Sequence, residues 1–265
     1  MTNNLIKRVV LVFSMVFITI SSAQKSSDLE VVNDTVKLID LAGKQRMLSQ
    51  RIAKDYIYKG KRILFSKSKR ELKKSIKELI QIQNTLNKSI NDPKIKNLLM
   101  FVDMSIESFE ETAEEKFSLD NAQIIIDLSE SMLEGSQYVV DSLKDTVKIS
   151  ESNIIALAGK QRMLSQRIAK YYIAYQSGIK DETTVDQMNE AVRIFAKAHA
   201  TLLKNKRNTP AINRKLNQID RLWKIVYKFY IDIEKGGLSL IVFNTTSNIT
   251  KKMNDVTKLY IKVYK

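Results

Sequence analysis

Apolar side chains recur every three or four positions along most of this chain. Ile76, Leu79, Ile80, Leu86 and Ile90, with Gln83 among them, form one such stripe. This is the spacing of one face of an α-helix, and strict alternation of the kind a half-buried strand needs is missing. The periodic stretches run for twenty or more residues before a breaker. They predict helices near residues 28–59, 67–91, 94–116 and 120–148, then 151–177, 182–206, 210–235 and 238–263. Asn91-Asp92-Pro93, Ser118-Leu119-Asp120, Gly178, Thr209-Pro210 and Gly236-Gly237 punctuate them, with proline early in a helix where its missing N–H costs least. Eight helices joined by short loops predict an all-α fold of two tandem up-and-down four-helix bundles.

The two halves are copies. Leu41 to Lys54 and Leu157 to Lys170 both read LAGKQRMLSQRIAK, 116 residues apart. The register continues through Tyr56-Ile57 and Tyr172-Ile173, Ile76 and Val192, Leu79 and Phe195, Thr85-Leu86 and Thr201-Leu202, and Lys88 and Lys204. Pro93 and Pro210 fall one residue out of step. A duplication of this length accounts for the pattern. The box stayed identical while its surroundings drifted, so it is the more constrained part. The domain reading is residues 24–149 for the first copy and 150–265 for the second, after a leader at 1–23.

On a helix the box separates two faces. Leu38, Leu41, Gln45, Leu48 and Ile52 make a core stripe. A second stripe centres on Arg46 and gathers Ala42, Gly43, Ser49, Gln50 and Ala53, with Ile39 and Ile57 at its ends. The second copy repeats it with Arg162 among Ala158, Gly159, Ser165, Gln166 and Ala169. Small side chains let a neighbouring backbone approach, and an interior helical glycine costs about 1 kcal/mol unless something is gained from it. A guanidinium in such a contact must meet an anion or a carboxylate. No acid occurs within the box, so two readings stand. Arg46 pairs with an acid elsewhere in the bundle, such as Glu107 or Glu110, or snorkels to water, or else Arg46 and Arg162 converge on a bound anion. Arg51 and Arg167 lie about 140° around the helix and read as packing and salt-bridge residues.

Composition narrows the chemistry. With 7 Gly and 2 Pro, and 44% hydrophobic residues, a packed helical core is affordable. There is no Cys and one histidine, His199, which excludes disulfides, thiolate sites, histidine triads and multi-histidine metal sites. No nucleophile, base and oxyanion donors can be grouped, so a non-enzyme without metal or cofactor is expected. Lys7 and Arg8, the apolar run Val9 to Ile20 and Ser21-Ser22-Ala23 read as a secretory signal cleaved after Ala23. That leader predicts a periplasmic or secreted protein. The net charge is +15, or +13 once Lys7 and Arg8 are removed, and outside the cytoplasm it favours small anions or anionic surfaces over nucleic acid.

The doubled AGKQRMLSQRIAK closely resembles the signature of the PilJ-type domain, the N-terminal region of type IV pilus methyl-accepting chemotaxis transducers. It is also similar to the P box of the NarX and NarQ nitrate/nitrite sensor kinases. With its flanking helices the resemblance covers nearly all of the chain after the leader, as two copies. It implies a periplasmic four-helix bundle that dimerises so that the first Arg of each box clamps one anion. Carried over residue by residue, that role falls on Arg46 and Arg162, with Gly43 and Gly159 allowing the approach. Ala42, Ser49, Ala53, Ala158, Ser165 and Ala169 support the contact, and Arg51 and Arg167 are the second arginines of the boxes. Relatives of this kind continue into a membrane helix, a HAMP segment and an output domain. No such segment follows the last bundle helix in these 265 residues. The expectation is therefore a sensor-like protein that binds a nitrate-like oxyanion and reports to a separate membrane receptor or envelope protein. The alternative is a non-liganded interaction module. Two arrangements of the copies remain open. Side by side, as an intramolecular pseudo-dimer, the chain reverses at Ser150-Glu151-Ser152-Asn153. End to end, one helix runs from about Asn121 to Ser177.

Overall fold

A computed structural model describes residues 34–146 and 150–263, with side chains from 153 in the second stretch. The leader, its cleavage site and the boundary between the copies lie outside the described residues. Every regular element described is helical. Helix α1 covers 34–60, followed by α2 (Phe65–Ser89), α3 (Pro93–Glu114) and α4 (Leu119–Thr146). The second set is α5 (Ser150–Ser177), α6 (Glu182–Leu203), α7 (Pro210–Tyr230) and α8 (Ser239–Val263), with a 3-10 turn at Ile233–Lys235. No described helix is long and apolar enough to cross a membrane.

Local chemistry sets the helix ends. Asp92, Asp181 and Thr209 accept hydrogen bonds from the amides of Ile95, Thr184 and Ile212, and Pro93 and Pro210 open their helices. Ser118 Oγ accepts from the Asn121 amide at 3.0 Å and starts α4. At the end of α5, Gly178 takes φ +117°. Its amide bonds to Tyr175 O and that of Ile179 to Ala174 O, a left-handed glycine cap with Ile179 folded back into the core. Two ends fall short of the sequence expectation. Helix α6 stops at Leu203 because Asn208 Nδ2 takes the Leu202 carbonyl at 2.7 Å, and α7 stops at Tyr230 ahead of the 3-10 turn. The expected turn at Ser150–Asn153 is corrected: these residues are the first turn of α5.

Residues 38–265 make one compact unit. In the second half, α5 packs on α6 and α8, and α7 closes the ring against both. In the first half α2 packs on α3 and α3 on α4. Helix α1 completes that ring through Gln45 to Gln83 of α2 at 2.6 Å and Gln50 to the Ser129 carbonyl of α4 at 2.8 Å. The core is apolar, with Leu79, Leu99, Val102, Ile125, Phe195, Leu216, Ile219 and Ile249 buried. His199 is buried beside Phe195, 5.9 Å between ring centroids.

The end-to-end arrangement is excluded by contacts between α4 and α5. Lys170 Nζ donates to Ser129 Oγ at 2.8 Å although the two are 41 residues apart. In one continuous helix they would lie about 60 Å apart at 1.5 Å per residue. The other two outer helices also cross: Tyr58 of α1 donates to the Ser239 carbonyl of α8 at 2.8 Å and stacks edge-on against Phe243. The first helix of each half thus lies against the last helix of the other.

Candidate functional site

Both faces of the box helix are buried, which is unusual for a segment carrying two arginines and two lysines. Along α1, Gln45 to Gln50 are all buried, and Gln161 to Gln166 match them in α5. Leu38 and Leu41, at the open end of the expected core stripe, are only half-buried. The glutamines pair internally: Gln45 donates to Gln83, which donates to the Leu99 carbonyl, while Gln166 donates to Thr250 Oγ1 at 2.6 Å. The buried amide N–H groups bonded this way hold the helix in one register and rotation, while Oε1 of Gln45 and of Gln166 is buried without a partner.

That register points Arg46 and Arg162 at each other. A methyl group built on Gly43 would lie 3.2 Å from Arg46 Nη2 and 3.7 Å from Arg162 Nη2. One on Gly159 would lie 3.2 Å from Arg162 Nη2 and 3.8 Å from Arg46 Nη2. Both guanidinium groups therefore converge beside two glycines, where any larger residue would crowd them. The arginines are 2% and 1% exposed. Burial, and then the neighbouring Arg162 charge, push the Arg46 pKa down to about 10. Ala42, Ser49, Ala53, Ala158, Ser165 and Ala169 are all buried around them. The two serines turn inward on their own helices, Ser49 to the Arg46 carbonyl and Ser165 to the Arg162 carbonyl.

The expectation that Arg46 pairs with Glu107 or Glu110 is corrected: Arg46 meets the amide of Gln137, and the acid in contact with the pair is Asp40, on Arg162. Both glutamates are exposed on α3, whereas Asp40 stands one residue before the first box. Arg162 Nη2 donates to Asp40 Oδ1 at 2.6 Å, and Nη1 donates to Asn254 Oδ1 at 3.0 Å. Arg46 Nη1 donates to Gln137 Oε1. Arg46 Nε and Nη2 and Arg162 Nε are buried without a hydrogen-bond partner. The second copy has Ala156 where the first has Asp40, so the contacting carboxylate serves one guanidinium, that of Arg162, while Asp141 is the larger nearby negative charge at Arg46. Gln137 and Asn254 escaped the sequence reading. They follow their arginines by 91 and 92 residues, so the one-residue slip seen at the prolines was the available signal.

The second arginines behave differently in the two copies. Arg167 donates to Glu130 at 2.5 Å and to Gln187 at 2.6 Å, and Lys170 joins the same glutamate at 2.5 Å. Burial still pushes the Lys170 pKa down to about 8. Among the described residues Arg51 has no ion pair of this kind, and its Nε is buried without a partner. In place of Glu130, the first copy's lysine, Lys54, has its neighbour Asp55, 3.1 Å away and equally buried. The described residues hold no group of three or more His, Cys, Asp or Glu side chains placed to bind a metal.

Residues 149–236 match the family of type IV pili methyl-accepting chemotaxis transducer N-terminal domains, PilJ. No curated protein and no solved structure matches the chain. The matched segment spans the second box and helices α5 to α7, and the match points to a helical domain of the sensory, signal-transducing type.

Proposed function

We propose that this protein is an exported, sensor-like binder of a small oxyanion of the nitrate type, held between Arg46 and Arg162. The tandem copies take the place of the two subunits of a dimeric sensor, and the occupied state is read by a separate membrane receptor or envelope protein. One observation carries the reading: two buried guanidinium groups share the space beside Gly43 and Gly159, with three of their N–H-bearing nitrogens unpartnered. Two like charges packed this closely repel, and a bound anion removes that cost while supplying acceptors for the free donors. Planar guanidinium groups match oxyanion geometry through paired N–H···O bonds.

The test is thermal unfolding of the purified protein against nitrate, nitrite and other small anions at constant ionic strength. Nitrate or a congener raises the melting temperature of the wild type, and Arg46→Ala or Arg162→Ala each abolishes the rise, because half a clamp does not hold. Full anion stabilisation in either variant would defeat the reading.

A second reading rests on Asp40. Its carboxylate already occupies one guanidinium, so the pair would serve only to lock the two halves together in an interaction module at the envelope. On that reading no anion stabilises the protein, and Asp40→Asn is weakened irreversibly.

A further inference from the structure

The two halves present corresponding grooves beside their box helices, one electrically balanced and the other strongly positive. Arg46–Gln137 and Arg162–Asn254 are equivalent bonds, which sets the register of α4 against α8 at 117 residues, while the box helices and the pair α2 and α6 keep 116. In that register Glu130, Ser131 and Glu134 correspond to Ser247, Asn248 and Lys251. Likewise Arg167, Gln187 and Glu190 correspond to Arg51, Glu71 and Lys74.

The groove beside α5 is internally neutralised. Its lining includes Glu130, Glu134, Lys160 and Arg167, and Glu130 holds Arg167 directly. The recess of about 260 Å³ between α1, α2 and α8 is lined by Arg51, Lys67, Glu71, Lys74, Asn244, Ser247, Asn248 and Lys251. Four cations there face one carboxylate. Where Glu130 would be, Ser247 Oγ is buried with no hydrogen-bond partner, and so is Arg51 Nε. Lys67 is fixed at the wall by Asn244 at 2.9 Å, and Lys74 and Lys251 stand exposed at the mouth. Two unsatisfied donors at the base and three ammonium groups around them are the complement of an anion with several acceptor oxygens.

We propose that this recess binds a phosphate-class dianion, either free phosphate or the phosphate group of a phosphomonoester. Its open, hydrated mouth screens a single charge strongly, so a monoanion gains little there, whereas a dianion meets several cations at once. Tetrahedral oxygens also reach donors on three helices, which a planar ion does not. The site is separate from the Arg46–Arg162 pair and does not depend on the function proposed for it.

The experiment is titration calorimetry of the full chain with inorganic phosphate, with glycerol 3-phosphate, and with nitrate at matched ionic strength. One phosphate site is expected, with nitrate at least tenfold weaker in this recess. Tighter binding of glycerol 3-phosphate than of phosphate identifies the ester as the ligand, and the reverse order identifies free phosphate. Ser247→Glu restores the carboxylate that the other groove carries, and Lys251→Glu changes an exposed side chain without touching the core. Each is expected to weaken phosphate binding at least tenfold, whereas Arg46→Met leaves it intact. Phosphate binding that persists in Lys251→Glu, or no binding by the folded wild type, would overturn the proposal. Equal affinity for nitrate and phosphate, lost in Lys251→Glu, would overturn its phosphate selectivity.

Discussion

Replacing Asp40 by Asn tests how the central arginines are neutralised. The substitution keeps the shape of the side chain and removes the one carboxylate in contact with the pair, 2.6 Å from Arg162 Nη2. Losing one partner of a fully buried pair costs about 3–5 kcal/mol, and an exposed pair contributes about 0–1 kcal/mol. Here the arginine side chain is 1% exposed and the aspartate 21%. The expected loss is therefore intermediate, about 2–3 kcal/mol. For a unit of this size each kcal/mol moves the midpoint by about 2–4 °C, which places the variant about 5–10 °C below the wild type without a binding anion. Nitrate then supplies the negative charge that the carboxamide lacks. At a hundred times its dissociation constant a ligand returns about 2.7 kcal/mol, roughly the amount lost. In the wild type the anion must displace Asp40, so its gain is smaller. Differential scanning calorimetry of both proteins, in a buffer with a bulky counter-anion and then with added nitrate, reads the difference directly. A variant as stable as the wild type would show that the Asp40 contact contributes nothing. A destabilised variant that nitrate fails to restore more than it stabilises the wild type would refute anion binding at the pair.

Three further outcomes follow from the same geometry. Arg46→Met replaces a desolvated cation facing another cation with an apolar side chain of similar length; its melting point without anion is expected to equal or exceed that of the wild type, with the anion response gone. Gly43→Ala gains up to about 1 kcal/mol of helix propensity, but places a methyl group 3.2 Å from Arg46 Nη2. Its calorimetric stability is expected to hold or rise while nitrate affinity falls, a split that a purely structural glycine would not give. Burial, only partly offset by Lys54, pushes the Asp55 carboxyl up to about 6 from an ordinary value of 3.8. The folded chain thus keeps a proton across this window that the unfolded chain releases, so this contribution to stability is full below about 4 and lost as pH rises through about 6. Melting curves from pH 4 to 7 check it: Asp55→Asn is expected to decline less steeply than the wild type, and parallel slopes would contradict the burial effect.

The helices, their number and most of their ends were written in local chemistry. Pro93 and Pro210, the caps Asp92, Ser118 and Thr209, and the apolar period act within a few residues of themselves, so they are legible without knowing the fold. The ends of α6 and α7 were not, because Asn208 caps α6 from outside the periodic stretch and the 3-10 turn continues the helical pattern past Tyr230. The repeat and its internal identity singled out Arg46, Arg162, Gly43 and Gly159 before any coordinate. What surrounds them was decided by tertiary packing. Asp40 pairs across 122 positions of sequence, and Gln137 and Asn254 arrive from helices 91 and 92 residues away. Nothing in a periodic pattern says which polar residue of a distant helix will face a given guanidinium, since that depends on the rotation of both helices about their axes. The same holds for the outer grooves. Both boxes have one sequence, yet Arg167 pairs with Glu130 while Arg51 shares a recess with Ser247, because each box helix packs against the last helix of the other half and those two helices differ.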